Sequence, residues 1–167
     1  MNLITETRRL SIEMFTCNDT DLLYQLTGDE HVMRFFPKAL NVQETGQMLD
    51  KILRDYKEQG YCFWKLLKKA DGDFAGIAGL LHQEIQGAAE AEVSYRIKRQ
   101  FWNHGYATEA AGACKAYGMN QLGKKRLISL IRPDNIASKR VAEKLGARES
   151  GLVDFEDAVH VLYVYMA

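Results

Sequence analysis

Leu10, Ile12 and Met14 alternate with polar neighbours, a period of two that predicts a half-buried strand. The period then changes. Leu22, Leu23 and Leu26 follow Asp19-Thr20 and predict a first helix. A second begins at Asn41, where Glu44 three residues on completes a capping-box pattern. Its apolar face is Met48, Leu49, Ile52, Leu53 and Tyr56, and Gly60 ends it. Tyr61 to Leu67 and Phe74 to Leu81 predict two strands joined through the turn Ala70-Asp71-Gly72-Asp73. After a polar, glycine-containing loop, Glu92 to Ile97 predicts a further strand. Thr108 to Gln121 predicts a helix whose Ala110, Ala111, Gly112 and Ala113 permit close packing. Arg126 to Ile131 predicts a strand, and Asn135 to Leu145 a helix with Ala137, Val141 and Leu145 on one face and Gly146 at its left-handed cap. Leu152 to Phe155 and His160 to Tyr165 close the chain as strands.

The order β-α-α-β-β-β-α-β-α-β-β predicts a mixed α/β domain, α+β in character, with helices covering a largely antiparallel sheet. At 167 residues the expectation is one domain over 1–167. Apolar residues make up 47% and charged residues 26%, enough for a packed core. The 22 basic and 22 acidic residues cancel, which argues against a general nucleic-acid binder. Cys17, Cys62 and Cys114 form no CxxC pair, and His31, His82, His104 and His160 form no HExxH, so no metal site is expected. No apolar run approaches the roughly 18 residues of a membrane span. The expectation is a cytoplasmic protein with no membrane partner.

Two segments carry candidate chemistry. In residues 92–110, EVSYRIKRQFWNHGYATEA, a strand runs through Trp102-Asn103-His104-Gly105-Tyr106-Ala107 into a helix. The first N–H groups of a helix lack internal partners and carry partial positive charge, which suits phosphate. Gly105 and Ala107 leave that backbone approachable. The segment is neither GxGxxG nor a P-loop. In the second segment, Asn135 to Ala147, Asn135 is a good N-cap with Ser138 three residues on. Taken singly, each is equally readable as an ordinary helix start.

Together, G-Y-A-T-E-A after Y-R-I and N-x-A-S-x-R-V-A-E-K-L-G after the next strand resemble the GNAT N-acetyltransferases. Thr7-Arg8-Arg9-Leu10, Val32 to Pro37 and Phe74-Ala75-Gly76-Ile77-Ala78-Gly79-Leu80 resemble the RimJ/RimL-like branch. The resemblance implies the GNAT fold, a central, splayed, mostly antiparallel seven-stranded sheet flanked by about four helices. It implies acetyl-CoA as co-substrate, lying where the strand Glu92–Ile97 parts from Arg126–Ile131. The backbone of Tyr95 and Ile97 would meet the acetyl and pantetheine groups. Trp102, Asn103, His104, Gly105, Tyr106, Ala107 and Thr108 would hold the pyrophosphate, and Asn135 and Ser138 would face the pantetheine and the sulfur. The acceptor would be a primary amine, a peptide N-terminus or a small molecule, with the protein a monomer or homodimer.

The chain departs from that pattern where Trp102 and Asn103 open the phosphate loop, where Ser94 replaces a strand glycine, and where Ala142 replaces a tyrosine that acts as acid. An amine near pKa 10 must lose a proton before attack, so Glu92 is expected to act as general base, unless it is a solvent-facing acid like Glu90. Ser138 or a water would then protonate the thiolate. Asp154, Glu156 and Asp157 suggest either an acceptor with positive neighbours or a solvated acidic turn. A non-catalytic acyl-CoA-binding module on the same fold is the other reading of the chain.

Overall fold

A computed structural model describes residues 2–167. The strands are β1 (Leu3–Glu6), β2 (Leu10–Glu13), β3 (Phe63–Lys68), β4 (Phe74–Ile85), β5 (Ala88–Ile97), β6 (Arg126–Ile131), β7 (Arg148–Phe155) and β8 (Ala158–Met166). The helices are α1 (Thr20–Thr27), α2 (Val42–Glu58), α3 (Tyr106–Asn120) and α4 (Ile136–Lys144). All eight strands form one sheet in the order β1-β2-β3-β4-β5-β6-β8-β7. Every neighbouring pair is antiparallel except β5 and β6.

The sheet therefore has one strand more than the seven the sequence predicts. β1 is a short edge strand that pairs with β2 through Glu6 and Ser11. The polar stretch between Leu81 and Glu92 is not a loop. It extends β4 and β5 into one long hairpin, closed by Gln86 (φ 51°) and Gly87 (φ 80°). Positive φ at both central residues matches the right-handed twist of the arms. Glu156 (φ 49°) and Asp157 (φ 58°) close β7 and β8 in the same way, so Asp154 lies on a strand, not in a loop.

The helix starts follow from capping. Asn41 and Glu44 form the predicted capping box on α2, worth roughly 1 kcal/mol. At the end of α4, Gly146 N–H reaches Glu143 O (3.0 Å) and Ala147 N–H reaches Ala142 O (3.0 Å), the paired bonds of a Schellman cap. Ala142 is the residue of α4 buried deepest; Val141 and Leu145 of the predicted face pack against the same core, whereas Ala137 is exposed.

Side chains alternate across the sheet and build a large core on each face, with a smaller third cluster of Ile85, Ile128, Val153, Leu162 and Val164. On one face Leu66, Leu80, Val93, Ile97 and Leu127 pack with Ala110, Ala111 and Cys114 of α3 and Ala142 of α4. On the other, Phe63, Phe74 and Ile77 pack with Leu23 and Leu26 of α1 and Leu49 and Ile52 of α2. The glycines of the Phe74–Leu80 motif are required by strand contact. A Cβ on Gly76 would lie 2.1 Å from Arg96 O, and one on Gly79 2.1 Å from Cys62 O.

Candidate active site

The sheet opens at one place. β5 and β6 run parallel but meet only at Glu92 and Ile128, and beyond that point they diverge. Ser129 holds the vertex: its hydroxyl donates to Val93 O (2.8 Å) and bonds the Tyr165 hydroxyl (3.0 Å). Just past the end of β5, Lys98 N–H bonds Ala75 O on β4. Backbone direction alternates along a strand, so Tyr95 and Ile97 turn their N–H and C=O away from β4 and into the cleft. The Trp102 indole N–H takes Ile97 O (2.8 Å), leaving Ile97 its N–H and Tyr95 both groups. Trp102 thus ties the loop after β5 to the strand. Ser94 alternates onto the opposite face, so its side chain leaves this edge free.

The loop after β5 makes a short 3-10 turn, Arg99–Phe101, then passes through Asn103 (φ 61°) to Gly105 (φ 81°), the N-cap of α3. The helix starts at Tyr106, two residues before the predicted Thr108. Gly105 brings no side-chain cap, and the first helical bond is Glu109 N–H to Gly105 O. The N–H groups of Tyr106, Ala107 and Thr108 therefore have no helical acceptor. Asn103, His104 and Gly105 are exposed beside them. His104 folds back on its own loop, with Nδ1 2.7 Å from Trp102 O.

Arg9, from the turn between β1 and β2, braces this loop. Its guanidinium donates to His104 O (2.8 Å) and Glu109 Oε2 (2.7 Å) and lies 4.3 Å from the centre of the Tyr106 ring. Thr7 donates to Glu109 Oε1 as well (2.5 Å). Burial pulls the Glu109 carboxyl upward, but the hydrogen bonds from Thr7 and Arg9 hold it below the usual value. A carboxylate in the first turn of α3 is thereby kept occupied.

Across the cleft, Asn135 caps α4 by accepting from Ser138 N–H (3.2 Å). The Tyr95 hydroxyl spans from β5 toward Ser138 O at 3.5 Å. Tyr95, Asn135 and Ser138 are thus brought together, and burial holds the Tyr95 phenol above its ordinary pKa. Ala142 is sealed beneath α4, so no phenol projects from that helix position.

Glu92 faces the other way, onto the α1–α2 side. It is 6% exposed, which rules out a solvent-facing acid; Glu90 is itself partly buried and paired with Arg126 (3.0 Å). Gln83 Nε2 donates to Glu92 Oε2 (2.9 Å). Burial pushes the Glu92 carboxyl up to about 7, against the pull of Gln83, with Glu156 adding to the rise. Four residues on, the Arg96 guanidinium lies 3.7 Å from the centre of the Phe36 ring and 5.4 Å from that of Phe63. Glu156, whose charge reaches both Glu92 and Arg96, also lines a cavity of about 200 Å³ together with Phe35, Pro37, Arg132, Asp157, Ala158 and His160. A larger groove of about 600 Å³ runs between β1 and α3, and none of the predicted site residues line it.

Sequence reasoning missed Gln83, Arg96, Arg132, Ser129 and the Arg9–Glu109 brace. Gln83 and Ser129 carry no local signal, because each acts on a strand distant in sequence. The brace does have one: T-R-R-L and G-Y-A-T-E-A were both singled out, and the structure joins them. Among the described residues, no group of three His, Cys, Asp or Glu could hold a metal ion, and no helix is long and apolar enough to cross a membrane.

The chain is 33% identical to the Bacillus subtilis (strain 168) uncharacterized protein YkkB over 145 residues, 86% of this chain and 84% of that protein. It is 30% identical to the uncharacterized N-acetyltransferase YnaD of the same organism, over 87% of this chain and 82% of YnaD. Its fold matches that of RimL, a ribosomal L7/L12 alpha-N-protein acetyltransferase solved with coenzyme A, at a TM-score of 0.79 and 16% identity, covering 98% and 97% of the two chains. The acetyltransferase (GNAT) domain profile matches residues 9–148. The parted strands, the uncapped helix start and this match over most of the chain agree: the protein belongs to the GNAT acetyltransferase family.

Proposed function

We propose that this protein transfers the acetyl group of acetyl-CoA to a primary amine, of a small molecule or a peptide N-terminus, by direct attack on the thioester. One observation carries the reading. The strands part at Glu92, and what borders that opening differs: bare Tyr95 backbone points across it in the plane of the sheet, while a buried carboxylate lies on the face toward α1 and α2.

The residues fit acetyl-CoA. The Tyr95 edge matches an extended pantetheine amide chain, and the free N–H groups of Tyr106, Ala107 and Thr108 match a pyrophosphate. Trp102, Asn103, His104 and Gly105 border that phosphate site, Ile97 adds its N–H to the pantetheine edge, and Asn135 and Ser138 close it from α4. The amine enters from the opposite face, where Glu92 takes its proton. A carboxyl with a pKa near 7 suits this role, being ionised in good part at neutral pH while remaining basic. The amine nitrogen bonds to the acetyl carbon and the carbon–sulfur bond breaks. A backbone N–H at Tyr95 meets the charge on the carbonyl oxygen. The leaving thiolate takes its proton at the α4 side, where Ser138 and the Tyr95 hydroxyl lie.

The missing phenol at Ala142 favours a second reading, an acyl-CoA binder without turnover. Thiol release from acetyl-CoA across a panel of amines and N-terminal peptides separates the two. Turnover with any acceptor supports transfer; coenzyme A affinity with no release across the panel supports the binder.

A further inference from the structure

The acceptor side of the cleft holds charges of both signs that do not pair. Elsewhere this chain pairs its charges readily: Arg9 with Glu109, Lys65 with Asp19, Arg126 with Glu90. Among the described residues, none of Glu92, Arg96, Arg132, Glu156 and Asp157 has an opposite charge within the 4.0 Å of an ion pair. Two of them are further under-used. The Nε atoms of Arg96 and Arg132 are sealed from solvent with no hydrogen-bond partner, and these are the buried side-chain polar atoms left unsatisfied among the described residues. A buried donor without a partner costs about 1–3 kcal/mol and calls for a reason.

The positions are specific. Arg132 follows β6 and lines the 200 Å³ cavity opposite Glu156 and Asp157 of the β7–β8 turn. Arg96 lies four residues from Glu92 on the same face of β5, held flat by Phe36, the neighbour of cavity residues Phe35 and Pro37. The site thus has a carboxylate that takes an amine and, alongside, guanidinium groups with donors to spare. Guanidinium forks match carboxylates in geometry, often with two parallel bonds. At about 200 Å³ the cavity is on the scale of a small metabolite.

We infer that the acceptor is a small zwitterion of amino-acid type, its amine at Glu92 and its carboxylate held by Arg132 with Arg96 beside it. This modifies the expectation drawn from Asp154, Glu156 and Asp157 alone: Asp154 sits on an exposed strand, and the wall that Glu156 and Asp157 do form is answered by Arg132. Glu156 and Asp157 at the rim attract the amine end, and Arg132 sets which way the molecule enters.

The inference rests on the transfer reading, and the experiment keeps the two apart. The whole protein with acetyl-CoA is assayed for thiol release on three matched sets: free amino acids, their carboxamides, and the amines lacking the carboxylate. Amino acids should exceed their carboxamides in kcat/KM by at least tenfold. Arg132→Gln should raise KM for amino acids at least tenfold, leave kcat within about twofold, and leave KM for the amines lacking a carboxylate and for acetyl-CoA unchanged; Arg132→Lys should recover part of the loss. Equal or better use of carboxamides and amines overturns the inference while leaving transfer intact. An Arg132→Gln effect that is the same for all three sets overturns it too, since that is the mark of a structural residue. No release with any acceptor overturns transfer, and the inference with it.

Discussion

The two walls of the cleft are built on different principles. One wall is backbone: the open edge of Tyr95, the left-handed Gly105, and the uncapped N–H groups of Tyr106, Ala107 and Thr108. Substitution changes it little, which is why Trp102, Asn103 and Ser94 depart from the family pattern without closing it. The wall facing α1 and α2 is side chains. Glu92, Arg96, Arg132 and Glu156 come from β5, the end of β6 and the β7–β8 turn, and each is set by what packs around it. Backbone recognition suits a ligand common to a whole family. Side-chain recognition suits the acceptor, which differs between members, and fold alone does not fix it.

The largest effect should come from the side-chain wall. Glu92→Gln keeps the shape and the contact with Gln83 but removes the basicity, so kcat should fall about 10²–10⁴-fold at neutral pH with acetyl-CoA affinity unchanged. Steady-state kinetics beside calorimetry checks both halves. A fall in affinity equal to the fall in kcat would erase the distinction between the walls.

The same substitution should stabilise the fold. Glu92 is raised from 4.5 to about 7, so it costs nothing below about pH 4.5, where folded and unfolded states are both protonated. The cost grows as pH rises through 7, reaching about 3 kcal/mol at most. Thermal unfolding of Glu92→Gln should therefore gain on the parent at alkaline pH and converge with it near pH 4. A gain independent of pH would place the benefit in packing, not in charge.

The backbone wall calls for a different kind of break. Gly105→Val puts a branched side chain on a residue at φ 81° that opens α3. Acetyl-CoA affinity should weaken at least about tenfold, roughly 1.4 kcal/mol. Gly105→Asn accepts the left-handed conformation, so its loss reports the side chain in the phosphate cradle and not strain. Unchanged affinity in folded variants of both kinds would remove the loop from the site.

The smallest effect belongs to the acid side. A thiol of pKa about 8–9 leaves readily and takes a proton from water, so Ser138→Ala should lower kcat only severalfold. Tyr95→Phe tests the other hydroxyl there. A loss above about a hundredfold in either would make that residue a necessary acid.

How much of this was legible beforehand divides along the same line. Helix and strand periods located α1, α2, α4 and seven strands, because an amphipathic period records burial directly. β1 escaped because it is four residues at an edge, with Leu3 largely exposed. The hairpin arms from His82 to Ala91 escaped because both faces there are largely polar, so no alternation marks them. The start of α3 fell two residues early because a glycine cap and free N–H groups leave no capping side chain to read. Glu92 could be singled out by its place on the strand, but its burial depends on Gln83 across the hairpin. Arg96 and Arg132 read as ordinary charges in sequence; what sets them apart is the absence of partners, which only the assembled chain reveals.

The central claim is that Glu92 is a buried carboxylate acting on the acceptor face. The most direct test is the pH dependence of kcat/KM for parent and Glu92→Gln, from about pH 5 to about pH 9, with one amine in thiol release. Gln83, Arg96, Glu156 and the Leu130 backbone surround the carboxyl and are unchanged in the variant. The parent should rise along a limb centred near 7. Glu92→Gln should lose that limb and climb only toward the amine's own pKa near 10. The same limb in both proteins would contradict the account and place the base elsewhere.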